Sequence, residues 1–138
     1  MKKLTLILTL IPFLLFSQSD VPDEFWINDS NFEETIGGNS AFGDDNQETI
    51  LIEFWAKFNE ENCFADWDKL ENVIYYRADI AKNPEAKKKY RVRMAPTLII
   101  FKNGVKEIVF KAGLDLVLPA KLEEIQEAIN EVNKASQF

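Results

Sequence analysis

The chain has 138 residues, 46% of them apolar and 28% charged, a balance that suits one folded domain with a sizeable core and is too hydrophobic for disorder. It has no histidine and one cysteine, Cys63, which excludes His-dependent catalysis, His-ligated or Cys-rich metal sites and an internal disulfide. The formal charge is −7, an acidity that is repelled by phosphate backbones and anionic lipid surfaces and argues against nucleic acid as a partner.

In chain order, Met1-Lys2-Lys3 is a positive leader and residues 4–16 are uncharged. Ser17-Gln18-Ser19 then supplies small residues at signal-peptidase spacing. Residues 1–19 are therefore expected to be a secretory signal peptide, cleaved after Ser19 or alternatively after Ser17. Thirteen apolar residues interrupted by Pro12 are too few to span a bilayer, which takes about 20. The product is expected to be exported, periplasmic or extracellular, with no membrane span. Its mature domain, residues 20–138, would carry 14 basic against 23 acidic residues, a net of −9.

A short edge strand is predicted at 25–27. Asn28-Asp29-Ser30 offers caps for a short helix over 31–36. The Gly-rich polar stretch 37–47 reads as a loop, and its acids Asp44, Asp45 and Glu48 lack the regular spacing of a calcium loop. Thr49 to Trp55 is apolar on both faces except at Glu53, as in a covered central strand. A helix is predicted over 59–70 with Phe64, Trp67 and Leu70 along one side. A second buried strand, 73–80, carries one misfit, Arg77. Asn83-Pro84-Glu85 reads as a helix start with Asn83 as cap, and that helix runs to Tyr90.

Residues 97–101 form a third apolar strand. Asn103-Gly104 is a strong hairpin signal because both turn positions need φ > 0, and residues 105–110 return as its partner until Gly113. Pro119 is expected to open a terminal helix with Leu118, Leu122, Ile125, Ile129 and Val132 on one stripe. The order β-α-β-α-β-α-β-β-α predicts a mixed central sheet flanked by helices, an α/β three-layer sandwich. Glu53, the single charge in its apolar strand, and Arg77, in the middle of a second one whose other charge, Asp79, lies at its end, are expected to form an ion pair across adjacent strands, since an unpaired charge there is very costly.

The segment Phe54-Trp55-Ala56-Lys57-Phe58 resembles the FWAxW stretch before the active-site turn of the thioredoxin family. Asn83-Pro84, Tyr90, Arg93, Ala95-Pro96-Thr97 and Leu98 through Gly104 follow that family's second half. The resemblance covers residues 24–132 and implies the thioredoxin-like fold. It implies that Pro96 is a cis-proline, which spacing alone would not suggest. It also implies that Trp55, Phe58, Ala95, Pro96 and Gly113 line a shallow groove for extended substrate segments. Glu53 matches the family's buried carboxylate, and Arg77 a buried lysine paired with it.

The departure is at the redox turn. Where the family has Cys-x-x-Cys, this chain has Asn59-Glu60-Glu61-Asn62, with Cys63 one residue further on. Dithiol exchange needs an attacking thiolate and a resolving thiol. Asn59 suits a helix cap, while Glu60 and Glu61 suit the helix dipole and would raise a neighbouring thiol's pKa. Cys63 has three readings: a half-buried structural residue, a monothiol that forms mixed disulfides with clients, or the link in a Cys63–Cys63 dimer. The run Lys87-Lys88-Lys89, Arg91, Arg93 is either a solvated face or a docking patch for an acidic partner, with Arg93 near the groove. The leading expectation is an exported binding or scaffold module, without cofactor or metal, that takes an extended peptide or partner protein beside Pro96. The alternative is a monothiol oxidoreductase or isomerase using Cys63 as nucleophile and Glu53 as proton acceptor.

Overall fold

A seven-residue strand buried along its whole length, β2 (Thr49–Trp55), is the centre of the molecule. The computed structural model describes residues 21–37 and 48–135. The proposed signal peptide, residues 1–19, and the 38–47 portion of the polar loop, with Asp44 and Asp45, lie outside the described residues. Five strands form one sheet in the order β1-β3-β2-β4-β5, where β1 is Trp26–Ile27, β3 Ile74–Asp79, β4 Thr97–Lys102 and β5 Val105–Lys111. β1, β3 and β2 run parallel, while β4 is antiparallel to β2 and β5 to β4. Asn103 (φ 56°) and Gly104 (φ 79°) make the tight turn between β4 and β5, the left-handed pair that a two-residue hairpin demands.

Period-two alternation divides β2 between two cores. Ile50, Ile52 and Phe54 face α1 (Phe32–Gly37) and α2 (Pro84–Lys89), burying Phe32, Ile36 and Ala86 against them. Leu51 faces the other way with Leu98 and Ile100, against Ile125, Ile129 and Val132 of α3 (Leu122–Ala135). Those three side chains recur at helical spacing, and each contributes about 1.5–3 kcal/mol by burial. The result is the α/β three-layer sandwich with a mixed central sheet expected from the sequence.

Three element assignments change. The 59–70 helix does not form. Its place is taken by two 3-10 segments, Lys57–Asn62 and Ala65–Lys69, kinked by non-helical backbone at Asn59 and Asp66 and separated by extended backbone at Cys63 and Phe64. In an α-helix the Phe64 N–H would bond the Glu60 carbonyl. Here Cys63 N–H takes that carbonyl at 3.1 Å, and Phe64 N–H donates to buried Glu53 Oε2 at 2.9 Å. A hydrogen bond to a charged acceptor is worth about 1.5–3 kcal/mol, more than the few tenths per residue at stake in local propensity.

The terminal helix begins at Leu122, not at Pro119. Lys121 N–H is capped by Glu124 Oε1 at 3.0 Å, and Leu118 packs on the core from the connecting segment. Asn83 makes no cap bond with its side chain. It is fully buried and donates instead to the Ile27 and Asp79 carbonyls, at 3.1 and 2.9 Å. The free N–H groups of α2 are taken by the Asp29 carboxylate, through Glu85 N at 2.9 Å and Ala86 N at 3.0 Å. A residue 56 positions away in sequence thus caps the helix, which no local pattern could reveal.

Candidate functional site

Three loops meet at the C-terminal end of β2: the 57–62 turn, the segment before β4 and the 112–117 turn after β5. The Ala95–Pro96 peptide bond is cis, and both residues are buried. Ala112 N–H donates to Pro96 O at 3.1 Å. Asn59, also buried, closes the assembly. Its Nδ2 donates to Ala95 O at 2.8 Å and to Leu116 O at 2.9 Å, while its Oδ1 accepts from Asn62 Nδ2 at 2.7 Å. Asn59 is therefore not a helix cap but a clasp between the Pro96 segment and the 112–117 turn. Leu116 presents its carbonyl to that clasp from a left-handed conformation, φ 64°, which is strained for a residue with a Cβ.

The sequence-predicted groove residues are distributed unevenly. Ala95 and Pro96 sit under the clasp, while Gly113 is exposed. Phe58 is 72% exposed, beside a recess of about 950 Å³. Trp55 faces elsewhere: it is buried, meets the Trp26 ring edge-on at 5.0 Å, and lines a smaller recess of about 420 Å³ with Asp79 and Lys82. Its indole N–H has no hydrogen-bond partner among the described residues. Leu114 (94% exposed) and Val117 (46%) join Phe58 as the exposed apolar side chains flanking the clasp.

Behind the turn lies a buried ionic cluster. Trp26, Arg77, Glu53 and Leu98 form one row across β1, β3, β2 and β4, and neither charged side chain has any solvent exposure. Arg77 Nη2 donates to Glu53 Oε1 at 3.1 Å, and Arg77 Nε to Tyr75 Oη at 2.7 Å. The Tyr75 hydroxyl donates in turn to Glu53 Oε1 at 2.5 Å. The guanidinium carbon lies 5.6 Å from the Trp26 ring centre and 5.7 Å from that of Tyr75, and Nη1 has no hydrogen-bond partner among the described residues. Burial pushes the Glu53 carboxyl above its usual range, against the opposing pull of Arg77, Tyr75 and the Phe64 N–H. Burial and the Glu53 carboxylate hold the Tyr75 phenol protonated, well above its usual range.

Cys63 stands at the edge of this cluster. It is half-buried, and the adjacent residue, Phe64, bonds both Glu53 and Arg77 through its backbone. Burial raises the thiol above its ordinary pKa. Arg77 opposes this and the Glu53 and Glu60 carboxylates add to it. A thiol kept protonated at neutral pH is a poor nucleophile. The residue that bonds the carbonyl just before Pro96 is Asn59, whose amide has no redox chemistry, and a single cysteine cannot make a dithiol couple.

Sheet order, the cis peptide and the buried acid–base row together define a thioredoxin-like domain without the dithiol. A family model described as Thioredoxin matches residues 24–131, and the chain belongs to the thioredoxin family. It is 29% identical to a thioredoxin of Staphylococcus saprophyticus over 87 residues, 56% of this chain and 73% of that protein. With a thioredoxin of Alicyclobacillus acidocaldarius it shares 28% over 95 residues, 60% of this chain and 80% of the relative. Solved structures agree on the fold. Malassezia sympodialis thioredoxin superposes with a TM-score of 0.56 at 22% identity, covering 77% of this chain and 89% of its own. Chlamydomonas reinhardtii thioredoxin f2 gives 0.58 at 13% identity, covering 78% and 94%.

Two features of the site were not legible in the sequence. The Asn59 clasp needed the 112–117 turn, whose approach no motif announces. The recess beside Phe58 gathers Lys57, Ile80 and the end of α2, of which only the run of lysines and arginines was visible beforehand. Among the described residues no helix is long and apolar enough to cross a membrane, and no group of three acidic or cysteine side chains is arranged to hold a metal ion.

Proposed function

We propose that this is an exported thioredoxin-fold binding module that takes an extended peptide or a partner protein on the face around Pro96. The observation that carries the reading is Asn59: an amide hydrogen-bonded to Ala95 O and Leu116 O stands where the family places its first redox cysteine. Scaffolding has replaced chemistry at that point, while Phe58, Leu114 and Val117 still expose apolar surface around it. Exposed apolar groups clustered at one end of a domain are typical of interaction sites. The sequence pattern of residues 1–19 supports export, and the intact mass of the protein recovered from its host would fix cleavage after Ser17 or Ser19.

The test is a titration of isotope-labelled protein with extended peptides, followed by amide chemical shifts, in wild type and in Cys63→Ser. Shifts at Phe58, Ala95 and Gly113 that persist in the serine variant are expected. In parallel, Cys63 should resist alkylation at neutral pH and label fast only on denaturation. Reduction of a disulfide substrate that disappears in Cys63→Ser would replace this reading with the monothiol one.

A further inference from the structure

A strongly acidic chain has gathered five of its cations around one recess. Its lining includes the apolar side chains of Phe58, Ile80, Pro84 and Val92. Lys57 stands beside Phe58, and Lys87, Lys88, Arg91 and Arg93 line it from the end of α2 onward. Lys57 makes a loose exposed pair with Glu60 at 3.7 Å. For Lys87, Lys88, Arg91 and Arg93 no ion pair is found among the described residues. The one acid in the lining, Asp79, already accepts the Ala81 N–H at 2.9 Å.

The backbone makes a second, independent point. α2 ends in a Schellman motif: Val92 N–H bonds Lys87 O at 2.9 Å and Arg91 N–H bonds Lys88 O at 3.2 Å. The left-handed position of that motif is normally glycine, because a Cβ there is strained. Here it is Arg91, at φ 59°. The motif needs no cation at this position, and strain kept at a residue whose side chain lines a cavity points to use.

We propose that this recess binds an extended acidic peptide, with carboxylates on Lys87, Lys88, Arg91 and Arg93 and an apolar side chain against Phe58. It rests on the reading of the chain as a binding module and extends it from the Pro96 face to the neighbouring cavity. The occupant follows from size and charge. A volume of about 950 Å³ lies at the upper end of ligand cavities and far exceeds a single small anion. The cations come from two separate stretches of chain, Lys57 and residues 87–93, and line a partly apolar space, which suits several spaced carboxylates with an apolar group between them. The acidity of the remaining surface repels such a peptide elsewhere and so confines it to this patch.

The probes are a fluorescein-labelled hexapeptide alternating glutamate and leucine, and its glutamine counterpart, titrated by anisotropy into the full chain. The acidic peptide should bind at least tenfold tighter than its counterpart, and weaken roughly tenfold between about 50 and 300 mM NaCl. Arg91→Gly is the informative variant: glycine suits the left-handed position, so its Tm should equal or exceed wild type while acidic-peptide affinity falls about fivefold or more. Lys88→Glu should weaken it likewise. Equal affinity for the two peptides, no saturable binding of the acidic one, or indifference to both substitutions would overturn the proposal. Complete displacement by low-millimolar inorganic phosphate would also overturn it, by reducing the site to a small-anion one. Val117→Glu, on the Pro96 face, separates the two surfaces. Loss of glutamine-peptide binding there, with Arg91→Gly silent, leaves the Pro96 reading standing and removes this one. The converse pattern removes the Pro96 face and keeps the recess.

Discussion

Arg77 and Glu53 set the sharpest terms at the level of single residues, because neither reaches water. Replacing Arg77 by Met leaves a buried carboxylate with one charged partner fewer, a change that typically costs about 3–5 kcal/mol. The cost depends on pH in a definite direction. The Glu53 carboxyl is raised in the folded state by burial, so the unfolded chain loses its proton first as pH rises. The stability due to the protonated form is complete below the ordinary carboxylate range and is lost as pH climbs through the raised value. Removing Arg77 takes away a charge that opposes the shift, so the loss should steepen. Urea denaturation of Arg77→Met at about pH 4, 5.5 and 7 should show a deficit near 3 kcal/mol at neutral pH that shrinks on acidification. A deficit that does not change with pH would mean that Glu53 is not the group left stranded. The two misfit charges were visible in sequence because each interrupts an apolar strand. Tyr75 was not, since a tyrosine in a strand is unremarkable until its hydroxyl is found between them.

Among the elements, the 57–70 segment shows where local pattern loses to tertiary demand. The sequence there offers Asn59, two acids and apolar residues at plausible spacing, all compatible with a helix. What the pattern omits is that Glu53 requires a donor from this segment and that Ala95 O and Leu116 O require another. Phe64 N–H answers the first need and Asn59 Nδ2 the second, and both draw the chain out of α-geometry. By contrast β2, β4 and the Asn103-Gly104 hairpin were legible to within a residue, because their signals are apolar runs and a turn with one steric solution. Asn59→Ala isolates the clasp. Two carbonyls lose their donor, one of them on the strained Leu116, and a cost of about 1–3 kcal/mol is expected. Amide exchange should quicken selectively over residues 112–117 while α3 keeps its protection. A stability loss spread evenly over the sheet and α3 would show that the clasp is not local.

The architecture of the whole molecule is that of a family whose redox turn has been rewritten, and the question at this scale is whether the scaffold still holds the geometry of the lost couple. The gapless match puts Asn59 and Asn62 at the two cysteine positions, and the structure brings those side chains into direct contact at 2.7 Å. Contact between side chains three residues apart, here across the kink at Asn59 (φ −128°, ψ 30°), is also what a Cys-x-x-Cys pair requires. The double substitution Asn59→Cys and Asn62→Cys should therefore oxidise within one chain in a glutathione buffer. The readouts are a 2 Da mass loss and a fall from three free thiols to one after alkylation under denaturing conditions. The thiol that remains should be Cys63, which lies beside the Glu53–Arg77 cluster and not in the 59–62 contact. The variant also sacrifices the Asn59 clasp, so its reduced form should be less stable than wild type by about the 1–3 kcal/mol expected for Asn59→Ala. Oxidation should return part of that difference, because a cross-link restricts the unfolded chain, though over so short a loop the gain is small. If Cys63 is captured in the new disulfide instead, the turn has slipped by one residue in solution and the match of Asn62 to the second cysteine position fails with it.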